Sequence, residues 1–135
     1  MEMLILAKLF LFAFLINVVW EMMHSQLYTT CLDRSWKKNV PLLLKMSVKD
    51  GLWITVLYGV SVVLFANWNI FENDAQLLFF VVFALAAGCI DEFVSIRLKR
   101  WEYAPTMPTI FGVGVTPFLE FAVTGLLALG MVFFL

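Results

Sequence analysis

Four long apolar stretches, set apart by short polar ones, organise this chain. Residues 3–23, 51–67, 77–96 and 110–135 each come close to the run of about 20 mostly apolar residues that a helix needs to cross a bilayer. The second is the shortest. The connections are polar: CLDRSWKKNVPLLLK, then NWNIFENDAQ, then RLKRWEYAPTMP. The pattern predicts an all-α fold, an integral membrane bundle of four transmembrane helices with short loops, forming one domain over residues 1–135. The first stretch is long, follows Met-Glu and has no small-residue cleavage site before Glu21, so a retained helix is expected rather than a signal peptide.

Helical periodicity sorts the polar residues onto faces. At 100° per residue, Asn17, Glu21, His24 and Tyr28 fall at spacings of four, three and four on one face of the first helix, with Lys8 on the other side. In the third helix Ala84, Ala87, Gly88, Asp91 and Ser95 share a stripe. Small residues allow close helix approach in lipid, so Asp91 is expected in the bundle interior and Glu92, about 100° round, toward the interface. In the fourth, Thr116, Glu120 and Thr124 line up beside Pro117, whose missing N–H is expected to loosen the backbone. Glu120 lies about 14 Å into that predicted helix. Asp50 reads as an acidic residue opening the second helix, favoured by its dipole. Asn17 is expected to hydrogen-bond between helices.

Composition strengthens the membrane reading. The chain is 63% hydrophobic and 14% charged, against roughly 45–50% apolar residues in a soluble domain. The net charge of -1 hides a strong segregation. Arg34, Lys37, Lys38, Lys45, Lys49, Arg97, Lys99 and Arg100 flank the first and third connections, whereas the turn holding Glu72 and Asp74 has no basic residue. By the positive-inside rule both basic connections are cytoplasmic and both termini are on the other side, in a bacterial or archaeal inner membrane. No strongly basic surface offers itself to nucleic acid. Cys31 and Cys89 are isolated, with no spacing that suggests a disulfide framework or a zinc ribbon. The segments 79–87 and 126–135 contain no ionisable group, so no hydrated path to the far side is visible, which weighs against an ion or proton translocator.

A charged side chain at the bilayer centre costs about 2.5–3.5 kcal/mol on the insertion scale, so such residues mark candidate sites. Glu21-x-x-His24 is the spacing by which di-metal bundles present two ligands from one helix, and Glu120, Asp91 and Asp50 could add oxygens. That pattern needs the motif twice and the chain has one histidine, so no metal is assigned; a hard cation would fit better than iron or zinc. Acid catalysis on an apolar substrate is the other chemistry. A carboxyl group enclosed by apolar side chains holds its proton and can pass it to a weak base such as an alkene. Aromatic faces and a second carboxylate can then hold the cation that forms. This assigns Glu120 as proton donor, Asp91 and Glu21 as charge stabilisers and His24 as the group setting protonation. The alternative is a non-enzymatic membrane subunit or lipid-binding scaffold whose polar residues hold helices together. An enclosed lipid pocket would call for self-association or a partner membrane subunit, and no cofactor is specified.

From Asp91 through KRWEYAPTMPTIFGVGVTPFLEF the chain resembles the small membrane domain of heterodimer-type lycopene cyclases. There an acidic residue, a Trp-x-aromatic pair, a glycine and a Pro-x-Glu-Glu-x-x-Phe motif follow in that order. Trp101, Tyr103, Gly112 or Gly114, Pro117 and Glu120 match by position, while Leu119 replaces the first motif glutamate and Val123 the phenylalanine. The resemblance covers about a third of the chain. It implies short membrane helices that accept isoprenoid or carotenoid chains, with Trp101, Tyr103 and Pro117 joining Asn17 and Tyr28 against the substrate and Glu120 as the acid. The first half, with WEMMHSQLY, is similar to small bacterial multi-pass membrane proteins.

Overall fold

The computed structural model describes residues 1–135. Helix α1 (Glu2–His24) passes through a 3-10 turn, Ser25–Leu27, into the one-turn helix α2 (Thr29–Leu32). Then come α3 (Trp36–Phe65), a 3-10 turn at Ile70–Glu72, and α4 (Asp74–Arg97). A hairpin of β1 (Thr109–Ile110) and β2 (Val113–Gly114) leads into α5 (Val115–Phe134). Helices α1, α3, α4 and α5 are each long and apolar enough to cross a membrane, so the chain is the all-α multi-pass bundle that the apolar pattern predicts.

The four long helices form a square in which α1 and α4 each pack on both α3 and α5. His24 meets Thr116 and Lys49 meets Asp91, so the C-terminal ends of α1 and α4 lie beside the starts of α5 and the first half of α3. Both termini and the 66–73 turn therefore occupy one end of the bundle. Helix α2, the hairpin and most of the Lys and Arg residues occupy the other, called here the basic end.

Each helix turns one stripe inward. In α1 it is Leu9, Ala13, Asn17, Glu21 and His24, and in α4 Gln76, Phe80, Ala84, Gly88, Glu92 and Ser95, at the three-and-four spacing of a helix face. Leu, Val, Ile and Phe cover the outer faces, as lipid-facing helices require. At Gly88 the reason for a small residue is geometric: a Cβ there would lie 2.9 Å from the Phe118 carbonyl oxygen, so α4 and α5 approach too closely for any side chain.

Two helix limits differ from those the sequence suggests. Helix α3 begins at Trp36 rather than at residue 51, because the run Asn39, Leu43, Ser47, Asp50 already carries a buried helical face and Pro41 interrupts only one backbone hydrogen bond near an exposed end. Its 30 residues span about 45 Å, more than the hydrocarbon core of about 30 Å, so its first turns stand clear of the bilayer. Helix α5 begins at Val115 rather than at 110. The β-branched Thr109, Ile110 and Val113 pair as a hairpin around Phe111-Gly112, with φ of 52° and 79°, the positive values of a type I′ turn. Pro117 thus sits in the first turn of α5, where an N–H has no helical partner to lose, and does not loosen the helix.

The two ends differ in how their buried polar groups are satisfied. At the terminal end, Gln76 donates to Ser61 Oγ at 3.2 Å and to the Asn67 carbonyl at 2.9 Å, and accepts from Asn67 Nδ2 at 3.1 Å. Tyr58 donates to the Trp68 carbonyl, and Asn73 caps α4 through Ala75 and Gln76 N–H. None of these side chains leaves a buried polar atom without a partner; the atoms that lack one belong to Asn17, Trp20, His24, Asn39, Asp50, Ser95 and Glu120.

Candidate functional site

The polar face read along the first helix is real: Asn17, Glu21, His24 and Tyr28 are all buried. They do different things. Asn17 donates to the Ala13 carbonyl of its own helix at 2.8 Å rather than across to another. Tyr28, just past the helix, donates to Glu92 Oε1 at 2.9 Å, and Trp101 Nε1 donates to the same oxygen at 3.0 Å. Tyr28 is ringed by His24, Trp101 and Tyr103 at centroid distances of 5.0, 6.0 and 5.6 Å. Backbone bonds from Thr29 N–H to the Glu102 carbonyl (2.9 Å) and from Ala104 N–H to the Leu27 carbonyl (2.8 Å) dock the 98–114 loop on the end of α1. The Tyr103 hydroxyl accepts from Gly114 N–H at 2.8 Å, tying that loop to the start of α5. Burial and the nearby Glu92 charge push the Tyr28 phenol far above its ordinary value; burial raises Tyr103 and the Cys31 thiol as well.

Asp91 and Glu92 exchange the places expected of them. Glu92 is 3% exposed and continues the Ala84–Gly88 stripe. Asp91 is partly exposed and takes Lys49 Nζ at 2.6 Å; Lys49 also lies 3.4 Å from Asp50 Oδ1. The interval from Gly88 to Glu92 is a full i, i+4 step, and the stripe follows it rather than the i, i+3 step to Asp91.

Deeper lies a carboxylate–histidine centre from three helices. One donor atom each of Glu21 and His24 on α1 and Glu120 on α5 lies within 4.8 Å of the others. Glu120 and Glu21 line one cavity with Asp50 on α3. Asp50 is 1% exposed and stands in the middle of α3, not at its start. Glu120 is the sixth residue of α5, about 8 Å from its first residue at 1.5 Å per residue, so it lies nearer the basic end than the apolar run implied. His24 Nε2 and Thr116 Oγ1 are 2.7 Å apart, and Thr116 Oγ1 donates its single hydrogen toward Met107 Sδ at 3.5 Å. With that hydrogen on the sulfur, the hydroxyl accepts from Nε2–H and the lone pair is on Nδ1, a buried atom with no partner; with it on Nε2, the tautomer is the reverse.

A cavity of about 30 Å³ opens beside this centre, lined by Glu21, Asp50, Asp91, Glu92 and Glu120 together with Tyr28, Lys49, Trp101 and apolar side chains. That volume suits a water molecule or an ion, not an isoprenoid. A second, apolar space of about 420 Å³ runs outside, between α3 and α4, along Trp53, Leu57, Phe83, Ala87, Ile90 and Val94, and Asp91 borders both spaces.

Sequence reasoning did not place Lys49 or Glu92 in the site and put Asp50 at a helix start. The legible signal was the three-and-four run Asn39, Leu43, Ser47, Asp50, hidden by Pro41 and the lysines around it. The fold and this site define a class, the four-helix multi-pass membrane protein with a buried carboxylate–histidine centre near one end. Comparison with known protein families, curated proteins and solved structures finds no match.

Proposed function

We propose that this protein is a lipid-phase isomerase or cyclase that protonates an apolar, isoprenoid-type chain, with Glu120 as the acid. The observation that carries the reading is the centre itself: Glu21, His24, Asp50 and Glu120 converge from three helices in the interior, and three of them keep a buried polar atom without a partner. Groups that merely held helices together would be paired, as Gln76 is. The chain of the substrate lies in the α3–α4 groove, whose volume falls in the range of ligand sites. Its reacting end reaches Glu120 only as the Lys49–Asp91 pair parts and the 30 Å³ polar cavity widens toward the groove. The Glu120 O–H proton passes to one alkene carbon as a C–H bond forms, and Trp101, Tyr28 and the remaining carboxylates stabilise the cation. Loss of a proton from the neighbouring carbon to Glu21 or Asp50 then gives the shifted alkene, or follows ring closure.

The positive-inside rule puts the basic end, and so the site, at the cytoplasmic face of an inner membrane, with both termini opposite. An impermeant thiol reagent should reach a cysteine placed at Lys37 from that face and one at Asp74 only from the other; the reverse would invert the bundle.

The small cavity supports a second reading, a scaffold or subunit whose site is completed by a second copy or a partner membrane protein. Glu120→Gln decides between them. It keeps shape and removes the acid, so the variant should fold, bind the lipids that co-purify with the wild type, and convert none of them. Equal conversion by both proteins would end the enzymatic reading.

A further inference from the structure

The same centre has the composition of a metal site. We propose that Glu21, His24, Asp50 and Glu120 bind one divalent first-row cation, of the Mn²⁺, Fe²⁺ or Zn²⁺ kind. The inference goes beyond the lipid chemistry and stands or falls separately from it.

Charge is the first argument. Five carboxyl groups line the cavity, those of Glu21, Asp50, Asp91, Glu92 and Glu120, against the single ammonium of Lys49. Lys49 is already engaged, by Asp91 at 2.6 Å and Asp50 at 3.4 Å. Glu92 is held by Tyr28 and Trp101. That leaves Glu21 and Glu120, with the second oxygen of Asp50, facing one another with no counter-charge, and buried carboxylates in contact call for a cation or for shared protons between them.

Geometry is the second argument. Donor atoms of Glu21, His24 and Glu120 already lie within 4.8 Å of one another. Three donors each about 2.0–2.2 Å from one ion lie about 3.3–3.8 Å apart, so the side chains close by up to about an ångström on binding. Asp50 lies outside that 4.8 Å cluster, but it lines the same cavity, is 1% exposed and has no partner for Oδ2, so a side-chain rotation supplies a fourth donor from α3.

The histidine also fits a ligand's role. In the tautomer in which Thr116 accepts Nε2–H, as outer partners of ligating histidines do, the buried and unpartnered Nδ1 carries the lone pair a metal needs. Three carboxylates with one imidazole suit a hard first-row ion such as Mn²⁺ first, with the borderline Fe²⁺ and Zn²⁺ as competitors, and fit less well Ca²⁺, which prefers oxygen alone, or Cu²⁺, which prefers more nitrogen. A bound cation occupies the oxygens from which Glu120 would give its proton, so the loaded and the acid forms exclude one another.

The test uses the full chain, chelator-stripped in detergent, and titrates it with Mn²⁺ while the free-ion electron paramagnetic resonance signal is followed. One Mn²⁺ per chain should bind, with competition by Zn²⁺. Glu21→Gln and His24→Ala should each weaken binding at least tenfold, and Thr116→Val, which touches no ion, by about 10- to 100-fold through the histidine. Glu102→Gln, an exposed acid on the loop, should bind as the wild type does. Helical circular dichroism identifies the folded samples. The proposal is overturned if folded wild type shows no saturable Mn²⁺ or Zn²⁺ binding up to millimolar concentration, or if Glu21→Gln and Thr116→Val both bind unchanged. Lipid conversion is measured separately with chelator present: activity there without metal affinity sinks only this inference, and metal affinity without conversion sinks only the enzymatic reading.

Discussion

A single oxygen, Glu92 Oε1, shows how much one residue can organise. It receives Tyr28 from just past the end of α1 and Trp101 from the 98–114 loop, and so ties both to α4 beside the cavity. The buried Tyr28 phenol ionises far less readily than a tyrosine in water, and unfolding returns it to an ordinary value near pH 10. The folded state therefore holds the proton more tightly. Its contribution is complete below about pH 10 and is lost as pH rises above that, because only the unfolded chain gives up the proton there. Thermal unfolding in detergent should hold level to about pH 9 and decline above pH 10. In Tyr28→Phe the alkaline decline should be shallower, while stability at neutral pH drops by about 1–3 kcal/mol because Glu92 loses a donor. An unchanged alkaline limb would place the titration elsewhere. At this scale the sequence was legible where periodicity within one helix decides, as for Asn17, Glu21 and His24, whereas Tyr28 lies past the helix end in extended backbone and is buried through the loop that docks there. It was not legible for Asp91 against Glu92. Adjacent acids differ by 100° of helix phase, and which of them faces inward depends on the neighbour α4 packs against.

At the scale of elements, the apolar runs located four helices but misplaced two of their starts. The boundaries depend on features that hydropathy averages away: a tolerated Pro41 near the exposed start of α3, and a hairpin whose Phe111-Gly112 turn sits inside an apolar stretch. Both shifts matter to the site. Starting α3 at Trp36 moves Asp50 from an end to the middle of a buried face, and starting α5 at Val115 brings Glu120 within reach of Glu21. The approach of α4 to α5 at Gly88 holds the two sides of the site together, and it leaves no room for a methyl group. A Cβ would sit 2.9 Å from the Phe118 carbonyl oxygen and 3.0 Å from that of Pro117, both backbone atoms that cannot swing aside. Gly88→Ala should therefore lower stability by about 1–3 kcal/mol, although alanine is the better helix former. Gly59→Ala, where a Cβ would meet nothing within 4 Å, should be neutral or stabilising. Melting temperatures of the two variants check the contrast; equal shifts would mean that α4 and α5 have freedom to part.

For the whole molecule, the contrast between the two ends of one bundle separates structure from function. The Gln76–Ser61–Asn67 set at the terminal end satisfies every donor and acceptor it buries, and hydrogen-bonded polar residues between helices in lipid typically contribute about 0.6 kcal/mol, and up to about 1.7. At the basic end, Glu21, Asp50 and Glu120 crowd together, with Asp50 Oδ2 and Glu120 Oε1 lacking partners. An arrangement of that kind is held by the rest of the fold and carries a stability deficit that proteins accept at working sites. Neutral, shape-preserving changes at the two ends should therefore move stability in opposite directions. Gln76→Leu leaves Ser61 and Asn67 without their partner and should lower the melting temperature of the purified protein. Glu120→Gln, measured without added metal, can donate from its amide to Glu21 and Asp50 and should raise it. If Glu120→Gln instead destabilises as much as Gln76→Leu, the centre is a second helix clamp. The deficit then disappears as an argument for chemistry at this end of the bundle, and the scaffold reading takes precedence over the enzymatic one.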